Sequence, residues 1–169
     1  DSIRTLTSPY GDDTVYVVPP LNPDVAVIRA QRADPDGNAQ VWGIVGEQKE
    51  AAFAADTVIL SVEEVCDSDV IRSDPNRTVV TESFVEYVVE EPYGSHPSYA
   101  QGFYDRDNQS YLEWNEISRT HESITSWLDE WVYGIANRRE YMEKLGSERI
   151  LELRPKTAYG EPVNYGGYS

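Results

Sequence analysis

Cysteine occurs once in these 169 residues, at Cys66, which excludes an internal disulfide and points to a reducing, cytoplasmic setting. Long apolar runs are missing as well: no stretch of about 18 or more apolar residues is present, so nothing reads as a membrane span. No basic start leads into an apolar segment, so no secretory leader is visible. The triplets Asn76-Arg77-Thr78 and Asn108-Gln109-Ser110 are then read as chance rather than as glycosylation acceptors.

Histidine appears only at His96 and His121, far apart, and with one cysteine these give no zinc-binding spacing; an EF-hand pattern is absent too, so no metal is expected. The phosphate-cradling patterns GxxxxGK[ST] and GxGxxG are lacking. Gly43 and Gly46 do precede a helix-like stretch, but Glu47 and Glu50 compete with an anion for that helix end. There is no nucleophile elbow, and the adjacent pair Ser95-His96 points its side chains apart more often than together. Cys66 stands among Glu63, Glu64, Asp67 and Asp69, surroundings that raise a thiol pKa and blunt its nucleophilicity. A self-contained thiol or serine hydrolase is therefore disfavoured.

Lysine is scarce, with only Lys49, Lys144 and Lys156. Against 14 Lys plus Arg stand 30 Asp plus Glu, for a formal net charge of −16. Such a surface repels nucleic acid and anionic lipid, and no basic patch offsets it, so neither is an expected partner. The acids run along the whole chain, a pattern that fits a protein from a salt-loving microbe or an acidic protein from an ordinary one.

What is present is a globular mix: 40% hydrophobic residues, with four Trp and twelve Tyr, in one domain's length of chain. Strands are read at Val15 to Val18, stopped by Pro19-Pro20, and at Val25 to Ala30; Asp34-Pro35-Asp36-Gly37-Asn38 is a turn, with Gln40 to Gly43 as a hairpin return arm. A helix over Glu47 to Ala55 and a buried-type strand over Thr57 to Val62 complete a βαβ unit, hence an α/β layer architecture. Asp67 to Asn76 is polar, looped or briefly helical, and two more strands lie at Thr78 to Thr81 and Val85 to Val89. Tyr93 to Asp107 has no usable period and reads as a long loop. Beyond it, Ile124, Trp127, Leu128, Trp131, Val132 and Ile135 share one helical face, read as core packing, with Gly134 near its end. Asn137 to Glu140 has capping-box spacing and opens a helix through Leu145 that Gly146 stops. Residues 147–169 read as a C-terminal extension, its Gly/Tyr-rich end expected to be poorly ordered without a partner.

Two constellations could carry chemistry. Gln31, Arg32, Asp34, Asn38 and Gln40 surround the turn, either as turn chemistry with exposed side chains or as a binding rim. Glu63 and Glu64 stand where a central strand ends, where open α/β sheets bind ligands, or are a solvated acid pair.

The segments PPLNPDVAVIRAQRADPDGNAQVWG, AADTVILSVEEV, EPYGSHPSYAQGFYDRDNQSYLEW and WLDEWVYG resemble the alpha subunit of glutaconate-type enzymes of the class I CoA transferase family. The resemblance runs from about Leu6 to Gly146 and makes 1–146 the C-terminal part of an alpha-subunit domain. It implies a mostly parallel, open α/β sheet of the NagB/RpiA-like type with C-terminal helices, and partnership with a beta-type chain and with the N-terminal part of the alpha subunit. A glutamate on the beta chain would attack an acyl-CoA thioester, so CoA thioester and small carboxylic acid are substrates and no permanently bound cofactor is implied. No SENG-like segment occurs here, so the resemblance assigns no catalytic residue to this chain. Gln31, Asn38 and Gln40 would line the site with Glu63, Glu64 and His96, while Tyr99, Tyr104 and Arg106 would face substrate or the partner, Arg106 as a fork for a carboxylate. Arg29 departs from the family pattern, which has a histidine there. WGIVGEQKEAA and HPSYAQGFYDRDN resemble equally the alpha chain of hydrolases that open a ring in steroid-derived CoA thioesters. A non-catalytic scaffold is the third reading.

Overall fold

The computed structural model describes residues 3–155. Runs rich in β-branched and aromatic residues form strands, and alanine-rich or capped runs form helices, in the order β1 (Arg4–Thr7), β2 (Thr14–Val17), β3 (Val25–Ala33), β4 (Ala39–Gln40), α1 (Gln48–Ala54), β5 (Thr57–Val65), α2 (Ser68–Ser73), β6 (Thr78–Val80), β7 (Tyr87–Glu90), α3 (Asn108–Ile117), α4 (His121–Leu128), α5 (Arg138–Leu145) and α6 (Ser147–Glu152). Strands β1 and β2 form a separate antiparallel hairpin whose strand residues are all exposed. The other five strands make one sheet in the order β6-β4-β3-β5-β7.

The long strands β3, β5 and β7 are parallel, as a βαβ unit requires, while the short β4 and β6 run antiparallel beside them. The sheet is therefore mixed, its parallel part being the three strands that carry the core. Both β3 and β5 bury alternate residues, as period-2 geometry dictates: Ala26, Ile28 and Ala30 pair with Val58, Leu60 and Val62 and pack with Ala52 of α1. Leu60 and Val62 are fully enclosed. Among the described residues no helix is long and apolar enough to cross a membrane.

Three features differ from the sequence reading. Strands β3 and β5 run three residues further than Ala30 and Val62, so Gln31, Arg32, Glu63 and Glu64 lie within strands rather than beyond them. The extension is tolerated because the enclosed polar groups, Gln31 and Glu63, find partners. The strand near residue 85 is preceded by a 3-10 turn over Glu82–Phe84 and begins at Tyr87. The helical face containing Trp127 and Trp131 is only half-buried, since α3 to α6 contain no fully buried residue.

Local signals at the helix ends do operate. Asn137 caps α5 by accepting from the Glu140 N–H at 3.1 Å, and Glu140 reaches back to the Ala136 N–H at 2.8 Å. After α4 the chain widens into a π turn over Asp129–Tyr133, closed by Gly134. A Cβ at Gly134 would meet the Asp129 carbonyl oxygen at 2.7 Å, so the wide turn requires glycine there. Residues 147–153 fold back onto the long loop: Leu153 is buried against Ala100 and Tyr104, and its carbonyl accepts from the Asp105 N–H at 2.8 Å. The Gly/Tyr-rich end, 156–169, lies outside the described residues.

Leu60→Ala should destabilise the chain by about 2–5 kcal/mol, because it empties a fully enclosed position, whereas Val27→Ala at an exposed site should change stability by about 0.5 kcal/mol or less. Urea unfolding monitored by circular dichroism reads both.

Candidate functional site

Alternation along β3 and β5 puts Arg29, Gln31, Ser61 and Glu63 on the sheet face opposite α1. Arg29 donates to Ser61 Oγ at 2.7 Å and to the Glu91 carbonyl at 2.8 Å, and pairs directly with Glu63 Oε1. The Glu63 side chain is 2% exposed and accepts two further bonds, from the Tyr93 N–H at 2.7 Å and from the Tyr104 hydroxyl at 2.7 Å. Tyr104 in turn accepts from the Ser95 N–H at 2.8 Å and stacks on Tyr93 with ring centroids 4.4 Å apart. Burial first, and the neighbouring Glu63 charge second, push the Tyr104 hydroxyl well above the ordinary tyrosine range, so it stays a donor.

These bonds draw the loop after β7 across the end of the sheet. A Cβ at Gly94 would collide with the Arg29 guanidinium and with the Glu91 carbonyl oxygen at 2.8 Å, which is why glycine stands there. Tyr93 holds φ +59°, a left-handed conformation fixed from both sides: its N–H binds Glu63 and its carbonyl accepts from Arg138. A cleft of about 230 Å³ lies beside this cluster, walled by Arg29, Gln31, Trp42, Gln48, Ser98 and Tyr99. Gln31 is tied to the Trp42 backbone at both ends of its amide, donating to the carbonyl at 2.8 Å and accepting from the N–H at 3.3 Å. No Asp or Glu lines the cleft among the described residues.

Of the residues singled out from sequence, the structure gathers Gln31 and Tyr99 at the cleft, with Glu63 and Tyr104 in the hydrogen-bonded cluster that includes Arg29. Asn38 belongs to the turn: its N–H and side-chain amide donate to Asp34, and it exchanges bonds with Glu82. Gln40 is fully buried, donating to the Ile71 and Asp74 carbonyls and accepting from Arg32. Glu64 is exposed. The Arg106 guanidinium lies 4.2 Å over the Tyr111 ring and bonds Asn108.

His96 sits in a second cluster that local sequence could not reveal. Its Nε2 lies 2.9 Å from Asp107 Oδ2 and its Nδ1 2.5 Å from the Tyr141 hydroxyl, with the side chain 3% exposed. Burial would raise the Asp107 pKa, but bonds from His96, Arg149 and the Ser110 N–H outweigh it and hold the carboxyl well below the usual range. An ionised Asp107 only accepts, so Nε2–H is the donor to it. Asp107 also caps α3, a D-x-x-S signal that sequence could have supplied; Arg149 and Tyr141 arrive from 42 and 45 residues away, as no local pattern foretells. Beyond His96 opens an aromatic cavity of about 390 Å³ walled by Tyr111, Trp114, Trp127, Trp131 and Tyr141.

Tyr104→Phe should cost about 1–3 kcal/mol, since Glu63 stays enclosed while losing a donor. Because the Asp107 pKa is lowered on folding, its contribution is full above the ordinary aspartate value of about 3.9 and is lost as pH falls below it. Asp107→Asn should therefore be less stable at neutral pH and lose less stability on acidification, which urea midpoints measured across pH can check.

Residues 5–91 match the coenzyme A transferase family. Over 144 residues the chain is 41% identical to the alpha-type subunit of 3-oxoadipate CoA-transferase from Pseudomonas knackmussii, covering 85% of this chain and 50% of that one. It is 35% identical over 165 residues to the alpha-type subunit of glutaconate CoA-transferase from Acidaminococcus fermentans, covering 97% and 52%. The crystal structure of glutaconate coenzyme A-transferase from that organism superposes with a TM-score of 0.88 at 33% identity, again over 97% of this chain and 52% of the other. A weaker similarity, 28% over 142 residues, covers 79% of this chain and 48% of the IpdA subunit of a cholesterol ring-cleaving hydrolase from Rhodococcus jostii. The chain thus spans about half the length of the curated relatives it matches. With the family match over its sheet-forming half and the same fold along nearly its whole length, the chain belongs to the coenzyme A transferase family.

Proposed function

We propose that this chain is part of the alpha subunit of an acyl-CoA:carboxylate CoA transferase that works with a beta-type subunit, together with the remainder of the alpha polypeptide. The observation that carries the reading is the similarity to the alpha-type subunits of two transferases, with 41% and 35% identity, each over at least 85% of the chain. The cleft fits a supporting role. It offers hydrogen-bonding walls in Gln31, Gln48, Ser98 and Tyr99, and among the described residues no carboxylate lines it, in keeping with an attacking acid supplied by another chain.

In the proposed reaction a glutamate carboxylate of the beta-type chain attacks the thioester carbonyl and the C–S bond breaks, giving an acyl-glutamyl anhydride and CoA thiolate. The thiolate attacks the glutamyl carbonyl, releasing the first acid as its carboxylate and leaving CoA on the enzyme. A second carboxylate reverses the sequence and leaves as the new acyl-CoA. The alpha chain binds and orients, converting weak nucleophiles into positioned ones. The polar groups Gln31 and Tyr99 line the substrate side, with Asn38, Gln40, Glu63, Tyr104 and His96 holding the surrounding loops through the bonds described above.

The chain works in the cytoplasm in this reading, in keeping with its single thiol, which burial pushes up in pKa; the acidic surface suits a salt-rich cell interior. The ring-opening hydrolase is the second reading, favoured by the 28% identity to the IpdA subunit.

Co-expressed with the beta-type chain and the remainder of the alpha subunit, the complex should move CoA from an acyl-CoA to a free dicarboxylic or oxo acid and, when the acid is omitted, show no turnover beyond the one equivalent that loads the enzyme. Consumption of a ring-bearing CoA thioester without acceptor acid would transfer the assignment to the hydrolase. A stable complex with neither activity would leave a scaffold.

A further inference from the structure

Five aromatic rings wall the cavity of about 390 Å³ that opens beyond His96, and α3, α4, the π turn and α5 each supply at least one of them. That volume falls within the range of small-molecule sites, about 300–1,000 Å³. The cavity lies across segment 95–99 from the cleft: His96 and Pro97 face the cavity, whereas Ser95, Ser98 and Tyr99 face the cleft.

The electrostatics of the cavity are one-sided. An aromatic face carries negative potential and attracts a cation held within about 6 Å of the ring centroid. Three of the five rings already hold one: Arg106 lies 4.2 Å over Tyr111, Arg138 4.3 Å over Tyr141 and Lys144 4.7 Å over Trp131. None of these basic groups lines the cavity, so they occupy ring faces turned away from it. The other two rings, Trp114 and Trp127, meet edge to face with centroids 5.2 Å apart, and among the described residues no cation stands over either. Trp114 is 40% exposed and stands beside Glu113, an exposed carboxylate and the single acid lining the cavity among the described residues. Behind His96 the Asp107 charge is met by Arg149, which leaves Glu113 as the charge the cavity presents.

We infer that this cavity is a binding site for a small alkylated ammonium cation, seated on the Trp114 and Trp127 rings with Glu113 beside it. Alkyl groups on the nitrogen spread the charge and lower the cost of leaving water, so such a cation suits apolar walls, whereas a metal ion or a primary ammonium is held back by its hydration. An anion meets both the ring faces and Glu113 with the wrong sign, and it must first approach a chain of net charge −16. A neutral apolar molecule uses the rings but gains nothing from Glu113 or from the ring potential, which is the difference an experiment can read.

The probes are choline and its uncharged carbon isostere, 3,3-dimethyl-1-butanol. Three of the four tryptophans, Trp114, Trp127 and Trp131, line the cavity, so intrinsic fluorescence reads its occupancy. Titrations are run on this chain and on its complex with the beta-type chain and the remainder of the alpha subunit, with sodium chloride holding the ionic strength constant. Choline should change the emission saturably in both, and the alcohol should bind about tenfold more weakly. Trp127→Leu keeps an apolar wall but removes a ring, and Glu113→Gln keeps an acceptor for Gln109, whose Nε2 donates to Glu113 at 2.7 Å. Each should weaken choline by about fivefold or more and leave the alcohol within about twofold. Glu113→Gln, at an exposed site, keeps the inference falsifiable should Trp127→Leu fail to fold. Equal affinity for the alcohol, an emission change matched by sodium chloride, full-strength choline binding in both variants, or loss of choline binding in the assembled complex would overturn the inference.

Discussion

The pairing of Arg29 with Glu63 on the face of a parallel sheet is the interaction on which the rest of the site depends. Two side chains from adjacent strands meet where apolar residues would otherwise pack, and an enclosed charge pair of this kind gains little net stability unless every remaining lone pair and proton is used. Here Ser61 of β5 supplies one partner and the loop after β7 three more, with only the Arg29 Nε–H left over among the described residues. The Glu91 carbonyl, the Tyr93 N–H and the Tyr104 hydroxyl all bond the pair, so the loop after β7 has to cross the sheet to complete it. The cleft beside Gln31 and Tyr99 exists because that loop is held at this height.

A second clamp fixes the far end of the loop. Asp107 starts α3, receives Arg149 from α6 and contacts His96, which lies next to Ser95 of the first network. The two networks share the stretch from residue 93 to residue 107, and a change at either end therefore propagates to the cleft through backbone placement. Position 29 gains meaning in this setting. Its arginine is long enough to reach Ser61, Glu63 and the Glu91 carbonyl at once.

The α/β class, the βαβ unit and the caps of the later helices were legible in the sequence because each depends on local period or spacing. Val25 to Ala30, Thr57 to Val62 and Asn137 to Gly146 are such cases, and the family resemblance lay in the first two and in the segments over Glu91 to Trp114 and Trp127 to Gly134. The ends of β3 and β5 were not legible, since Gln31 and Glu63 look like strand terminators until their partners at Trp42, Tyr93 and Tyr104 are known. The same holds for the site. Tyr99 and Gln31 could be proposed from residue type and loop position, but the separation of Asn38 and Gln40 from the cleft is set by Asp34, Ile71 and Asp74, and the His96 cluster by Tyr141 and Arg149. Half-burial of Trp127 and Trp131 likewise follows from what packs over a helix, which periodicity does not state.

The central claim is that this chain positions substrate while another chain supplies the nucleophile, and the measurement that addresses it most directly is intact-protein mass after mixing the assembled subunits with acyl-CoA alone. The account predicts CoA attached to the beta-type chain through a glutamyl thioester, sensitive to hydroxylamine, and this chain at its unmodified mass. CoA or acyl attached to any residue of this chain would contradict it.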